Sequence, residues 1–545
     1  MNPTDLQPMA NLAKSWDWSA DGMVLTVHLI EGAKWSDGAP FTTADTEFYY
    51  NDVVNDPEVT PLMGAASATY NNGVYANVDD YNFTLTFKTP FPEGVLYNFA
   101  YGNFCPGPAH LLKPQHPKYG GKSYQAFHDA FPADYMNFPV MGAWAVVEHR
   151  PDDVVVLRRN PYYWKVDEAG NQLPYLDEMQ YRLSTWADRD VQAVAGTGDF
   201  SNLEQAENYV ESLKKAADPA SPAKLAFGPR TIGYSLYPNY SANGWGEPDA
   251  NGQAIRELNR NLDFRKAISY GMDRQRLGNS LVKGPFTVPY PGGIYAGTSY
   301  YDKNSTVFYP FDAASAKAEL EAAGLKDTDG DGFVNLPNGG ANVNATLLTQ
   351  SDYATDKNLA EGVIALMGDI GLKVSLNALG GKDFDNARDS GKFDWIIVRN
   401  GTELITVVVN TTALAPVGPT TSNHHKANAK GELDLMPYEQ DLVDTVNKFS
   451  GSRDPAERVS LMKHFQQVYT SNLDGIGLTA YPGALIINKR FANVPAGAPI
   501  FMYNWAEDNI IRERVFVPKD KQLNVELHPN TLPGKPGDPG PITAN

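Results

Sequence analysis

The sequence predicts a mixed α/β protein built from more than one lobe, and three observations carry that expectation. Runs of two-residue alternation, such as Met23–Trp35 and the run from Tyr81, have the period of half-buried strands. Segments with helical spacing stand at Asp312–Leu325, Thr355–Gly371 and Asp454–Asn472, and the middle one leads straight into a short strand, Leu372–Leu379. The same helix-then-strand order recurs around Phe264–Gly284, which is the order of an α/β layer. At 545 residues the chain also exceeds what one hydrophobic core holds, and roughly three domains or lobes are expected.

Element by element, the first strand breaks at Ser36-Asp37-Gly38, and Thr42 with Asp45 has capping-box spacing for a helix start. Phe48, Tyr49 and Val53 would then form its apolar face. Such density of turn and cap signals marks either an active-site loop or a corner that defines the fold. Residues Gly142–Trp164 read as a hairpin, with Arg150-Pro151-Asp152-Asp153 turning between two β-branched strands. The closing residues are rich in proline and glycine, so 519–545 is expected to be a mobile tail. No repeat of fixed period is present.

Composition excludes several classes. With 64 acidic against 45 basic residues the net charge is −19, a surface that repels phosphate backbones, so no nucleic-acid partner is expected. A single cysteine, Cys105, rules out an intrachain disulfide framework and cysteine-based zinc clusters. No run of 18 or more apolar residues occurs. The opening residues, MNPTDLQPMA, have neither a basic nor an apolar signal region, which by itself reads as cytoplasmic.

The search for chemistry returns little. No GxSxG, HExxH, Walker A or GxGxxG pattern sits in a supporting context, so no catalytic residue and no cofactor are expected. His424 and His425 are adjacent, and neighbouring residues face different ways on a regular element, which argues against joint metal ligation. His110 and His116 stand near prolines and read as loop hydrogen-bonders. Asp327, Asp329 and Asp331 with Gly332 reproduce the first half of a calcium loop, but Asn338 stands where the closing glutamate belongs. An acidic turn between helix and strand explains the same residues. Aromatic residues, 11% of the chain, cluster in irregular segments such as Gly233–Trp245 and Phe501–Trp505, where both a core and a ligand cleft suit them.

Leu12–Phe48 resembles the signature of the family 5 extracellular solute-binding proteins, the oligopeptide-binding class of ABC importer receptors. The match runs from an LA-x-SW start to a G-x-x-W-x-DG-x-P-F-T-x-x-D corner, departing at Ile30, where a basic residue is common. Further resemblances follow in order: the hairpin leading to Arg159-Asn160-Pro161, Leu173–Leu183, the helix Phe264–Leu277, the DTDGDG segment to Gly332, and the strand Gly391–Val398. The resemblance implies a two-lobed, three-domain periplasmic-binding-protein fold of type II that closes on a hinge. Lobe I would comprise 1–34, 142–240 and 482–518, an inserted extra domain 35–141, and lobe II 241–481. On this reading the opening corner is scaffold, and neither Asp37 nor Asp45 moves a proton.

Family members are exported, so the resemblance replaces the cytoplasmic reading with a periplasmic or cell-surface one. It also implies that a signal peptide and a first strand are missing, since only eleven residues precede Leu12. The implied function is capture of an oligopeptide or oligosaccharide between lobes, by a monomer, for delivery to ABC permease subunits, with no reaction catalysed. The alternative is a secreted hydrolase of peptides or glycans. In peptide-binding relatives an acid nine residues after the aspartate of the Phe-Asp strand pairs with the ligand's amino terminus, which points to Glu403, with Asn400 in an aromatic's place and Arg399 beside it. A sugar would instead lean on Tyr234, Tyr237 and Trp505 for stacking, and Trp186, Asn239 and Tyr503 complete the expected lining.

Overall fold

The computed structural model describes residues 8–59, 72–88, 90, 93–101, 104–132, 135–282, 284–296, 298, 300–337, 340–399, 407–408, 411–422, 424–452, 454–494 and 511–523. The chain divides into two units. The first holds the described residues up to Arg189 together with 487–494 and 511–523, and the second the described residues 190–486.

In the first unit, β1 (Ala13–Trp18), β2 (Val24–Leu29), β3 (Val74–Asp79) and β4 (Asn82–Thr86) form an antiparallel sheet in the order β1-β2-β4-β3. Alternation buries Leu25, Val27 and Leu29 of β2 against Trp35, Phe41 and Tyr50. The opening corner is scaffold in detail. Thr42 Oγ1 accepts from the Ala44 N–H at 3.2 Å while the Asp45 carboxylate accepts from the Thr42 N–H at 3.0 Å, the reciprocal cap read from the sequence. Asp45 also accepts from the Ala109 N–H at 2.9 Å, and Asp37 meets His110 Nε2 at 2.9 Å. Helix α1 (Thr43–Phe48) continues into a π-helical turn, Tyr49–Val54. That wider turn moves the apolar face, so Phe48, Tyr50 and Val54 are buried where Phe48, Tyr49 and Val53 were expected.

Three short helices follow: α2 (Glu93–Tyr101), α3 (Ala109–Leu112) and α4 (Tyr124–His128). His116 is fully buried and its Nδ1 accepts from the Lys118 N–H at 3.2 Å, a loop hydrogen bond as expected. The predicted hairpin is present as β5 (Trp144–Arg150) and β6 (Val154–Arg159), joined by β7 (Glu178–Arg182), with Asp152 at φ 59° in its turn. Glu513 accepts from Tyr163 at 3.1 Å and from Lys165 at 2.8 Å, which ties a late segment of the chain to this region. Helix α5 (Trp186–Ala195) spans the division between the units.

The second unit contains β8 (Phe200–Leu203), α6 (Tyr209–Ala217), β9 (Ala223–Phe227), β10 (Ile232–Pro238), α7 (Ala250–Arg260), α8 (Leu262–Gly271), α9 (Arg274–Leu281) and β11 (Val288–Pro289). It continues with α10 (Ala313–Ala322), β12 (Asn344–Gln350), α11 (Ala354–Asp369), β13 (Lys373–Leu379), α12 (Gly381–Asp389) and β14 (Trp395–Arg399). It ends in α13 (Pro437–Gly451), α14 (Pro455–Asn472), β15 (Ile476–Tyr481) and β16 (Ala484–Asn488), whose last two residues fall in the first unit. Six strands form one sheet in the order β11-β15-β10-β14-β12-β13, and β8-β16-β9 form a small second one. Parallel pairing of β12 with β13 and β14, through α11 and α12, is the α/β layer the sequence announced. Leu359, Ala360, Val363, Leu366 and Met367 face α11 inward at helical spacing.

Buried arginines tie the loops to this layer. In the Phe264–Leu277 segment, Arg265 Nε donates to the Asn472 carbonyl at 2.8 Å and Arg274 Nε to the Gly477 carbonyl at 2.7 Å. Trp395 is fully buried, and its indole N–H donates to Asn259 Oδ1 at 2.9 Å while Asn259 Nδ2 donates to the Asn239 carbonyl at 2.9 Å. Among the described residues no helix is long and apolar enough to cross a membrane. Trp395→Phe strands the Asn259 oxygen in the core and is expected to cost about 1–3 kcal/mol, read as a lower urea midpoint. An unchanged midpoint would remove that bond from the account of the sheet.

Candidate ligand site at one edge of the six-stranded sheet

Because β10 is antiparallel to both β14 and β15, the last two run the same way as β12, and their carboxyl ends gather at one edge of the sheet. In α/β sheets that edge is where ligands bind, since the connecting loops diverge there. Arg399 ends β14, Tyr481 ends β15, and Tyr234 of β10 lies directly opposite Arg399 in the ladder. Glu204 follows β8, and Asp356 sits in the first turn of α11, which follows β12.

These groups form one polar cluster. Arg399 Nη1 donates to Glu204 Oε2 at 3.1 Å, the carboxylate being 5% exposed and the guanidinium side chain 28%. The Arg399 Nε–H is buried with no acceptor among the described residues. Tyr481 donates to the Glu204 carbonyl at 3.1 Å and its ring stacks on Tyr234, with centroids 6.4 Å apart. Burial raises the pKa of Asp356 to about 6, opposed by the Tyr234 hydroxyl and by the charge of Arg399. Burial also lifts the phenols of Tyr234 and Tyr481 above their usual range, so both are neutral hydroxyls at physiological pH. One cation, two carboxyls and two phenols thus stand together in a largely dehydrated setting.

The other expected site residues are distributed as follows. Tyr237 is buried and stacks on His424 at 4.7 Å, accepting from the Tyr469 hydroxyl at 3.2 Å. Asn239 is fully buried and uses its amide on backbone, donating to the Phe393 carbonyl at 3.1 Å and accepting from the Ser241 N–H at 3.1 Å. Trp186 opens α5, and nothing further is described of its side chain. Asn400, Glu403, Tyr503 and Trp505 lie outside the described residues. The structure therefore brings Tyr234 and Arg399 together and adds Glu204, Asp356 and Tyr481, which the sequence did not single out. The only local signal for Asp356 was an acid in a helix's first turn, an ordinary dipole partner.

The paired histidines face different ways. His424 stacks on Tyr237, whereas His425 is clamped with Nδ1 at 2.6 Å from Glu439 and Nε2 at 2.8 Å from Asp434. Glu439 also accepts from the Met436 N–H at the start of α13, at 2.8 Å, and Asp434 accepts from Arg260 at 3.0 Å. Burial works against the imidazolium, yet the two carboxylates outweigh it and lift its pKa to about 9. The clamp holds the loop that touches the end of β10, where the His424 carbonyl accepts from the Tyr240 N–H at 3.0 Å.

The ligand atoms of Asp327, Asp329 and Asp331 lie within 4.8 Å of one another and are exposed. Their oxygens serve the turn itself: Asp327 accepts from Gly330 at 2.6 Å and Gly332 at 3.0 Å, and Asp331 from Asn342 Nδ2 at 2.6 Å. A groove of about 560 Å³ in the first unit is lined by residues including Leu112, Asp129 and Phe138 and shares no residue with the sheet-edge cluster. It has no buried charge to orient a ligand, so the sheet edge is the stronger candidate.

Comparison with known proteins decides the family. The model of bacterial extracellular solute-binding proteins, family 5, matches residues 7–412. This chain belongs to that family. It is 62% identical over 542 residues to a periplasmic alpha-galactoside-binding protein of Rhizobium meliloti, covering 99% of this chain and 78% of the relative. It is also similar to the periplasmic binding protein MelB of Agrobacterium fabrum, solved in complex with stachyose. There the identity is 60%, the TM-score 0.86, and the coverage 99% of this chain and 81% of that one. The Bacillus subtilis oligopeptide-binding protein AppA, solved with a nonapeptide, shares the fold at 17% identity and TM-score 0.68, over 95% of this chain and 93% of its own. The family 5 fold and the role of ABC-import solute receptor expected from the motifs are therefore correct, and the relatives are binding proteins of transporters.

Two outcomes follow from the geometry. His425→Gln is expected to cost about 3–5 kcal/mol at pH 6, the usual loss when a buried ion pair loses a partner. Because the folded pKa lies above the unfolded one, the clamp stabilises fully below about pH 6.5 and is lost as pH rises through about 9. The gap in denaturation midpoint between wild type and His425→Gln should close over that window, and a gap independent of pH would refute the clamp. Millimolar calcium is expected to raise the melting temperature by less than about 1 °C, because linkage stabilisation requires a site and these carboxylates already serve the turn. A clear rise abolished by Asp329→Ala would show a real calcium site.

Proposed function

We propose that this protein is the periplasmic receptor of an ABC importer for neutral oligosaccharides of the α-galactoside type, and that it hands its ligand to membrane permease subunits as a monomer. The observation that carries this reading is the 62% identity, over 99% of the chain, to a periplasmic alpha-galactoside-binding protein. The sheet-edge cluster supports it. Arg399 is already balanced by Glu204 at 3.1 Å, so the pair offers hydrogen bonds without requiring a counter-charge on the ligand. A peptide's carboxylate would find that cation taken, whereas a sugar's hydroxyls find donors and acceptors, with the rings of Tyr234 and Tyr481 close by.

Isothermal calorimetry of the full chain tests the reading. Stachyose should bind with a dissociation constant of about 1 μM or tighter, equivalent to about −8 kcal/mol, while tetra-alanine gives no heat. A chromogenic α-galactoside should remain uncleaved, since a receptor's cycle ends in transfer and not in hydrolysis. Binding of the peptide without the sugar would overturn the ligand class, and turnover would restore the hydrolase.

A further inference from the structure

Inside the sheet-edge cluster the charges are paired unevenly. Arg399 gives one Nη to Glu204, and no ion pair joins it to Asp356 among the described residues. Asp356 comes instead from α11 and is hydrogen-bonded by the Tyr234 hydroxyl, while the buried Nε–H of Arg399 has no acceptor among the described residues. A carboxyl held by one phenol and a guanidinium with an open N–H therefore stand on separate elements, α11 and β14, each anchored from behind. The Thr349 hydroxyl donates to the Asp356 carbonyl at 3.3 Å and Glu204 holds the guanidinium, so neither backbone nor charge drifts toward the other. Burying a donor without an acceptor is costly, and proteins tolerate it where a ligand completes the set.

We propose that Asp356 and Arg399 form a sugar-reading pair within the second unit, the carboxylate accepting from one ring hydroxyl and the guanidinium donating to its neighbour. The inference rests on the oligosaccharide reading above and adds the residues and the pH behaviour to it. Facing Asp356 are Tyr234 from β10, Tyr481 from β15, Arg399 from β14 and Glu204 after β8, with Tyr353 and Asp352 just before its own helix. The two sheet phenols stay neutral, so the carboxyl of Asp356, with its pKa raised to about 6, is the group whose charge changes as the medium turns mildly acidic. Hydroxyl donors from a ligand favour its carboxylate, so the pKa of Asp356 falls in the complex. A neutral sugar then releases part of a proton on binding near pH 6, and its affinity drops on acidification by up to about tenfold per pH unit.

The test is calorimetry of the full chain with stachyose at pH 8, 6 and 5, the pH 6 titration being repeated in two buffers of different ionisation enthalpy. We expect binding about tenfold weaker at pH 5 than at pH 8, and a buffer-dependent heat at pH 6 that reports proton release. Asp356→Asn should bind at least about tenfold more weakly at pH 8 and show no dependence on pH. Tyr234→Phe, which removes the hydroxyl favouring the carboxylate, should move the midpoint of the pH profile upward. A flat wild-type profile with no buffer dependence overturns the proposal even if Asp356→Asn does not fold. A profile that survives in Asp356→Asn assigns the proton elsewhere and overturns it too. If wild type binds no stachyose at any pH, the oligosaccharide reading fails and the pair falls with it.

Discussion

Tyr234 faces Arg399 because β10 and β14 pair in one register, from Tyr234 opposite Arg399 to Pro238 opposite Trp395. A slip by one residue would send Ser235 to the face now held by Tyr234 and would turn Trp395 out of its fully buried slot. All seven residues of β10 are buried, so both faces of the strand resist such a slip. The Trp395–Asn259–Asn239 hydrogen bonds add a polar lock that only one register satisfies. The sheet-edge cluster exists because this pairing delivers its residues to the same end.

Charge in the second unit is handled by two different means. Arg265 and Arg274 spend their N–H groups on backbone carbonyls of neighbouring segments, which fixes loops without needing a counter-charge. His425 is instead gripped by two carboxylates, one of which also caps a helix, so a single imidazolium organises the start of α13 and the loop beside β10. At the sheet edge neither device is complete. Among the described residues Arg399 is paired with Glu204 but not with Asp356, and one guanidinium N–H remains open. Incomplete satisfaction of buried polar groups is uncommon in a core, and its position at the carboxyl ends of parallel strands fits a surface built to receive polar atoms from outside.

The opening corner shows how a dense motif can be purely architectural. Asp45 accepts two hydrogen bonds within the first unit, from the Thr42 and Ala109 N–H groups, and is itself buried. Its bond to Thr42 is made three residues away, which is why the cap was legible in advance, whereas the bond from Ala109 was not. The π-helical turn that follows was not, because the choice between a four- and a five-residue return depends on which side chains the sheet below admits.

Local patterns therefore determined the elements, the α/β layer around α11, the hairpin of β5 and β6 and the capped corner. Each rests on propensity, alternation or turn chemistry within about twenty residues. Motif resemblance along the chain pointed to the family and to the stretch beside Arg399, and an aromatic cluster in an irregular segment singled out Tyr234. Glu204, Asp356 and Tyr481 could not be found this way: they come from three further segments, and each alone is an ordinary acid or aromatic. Only the tertiary structure decided that they meet, and that Asn239 serves backbone while Tyr237 packs on a histidine. The reason is physical: burial and charge pairing are set by neighbours in space, and those neighbours here come from separate segments of the chain.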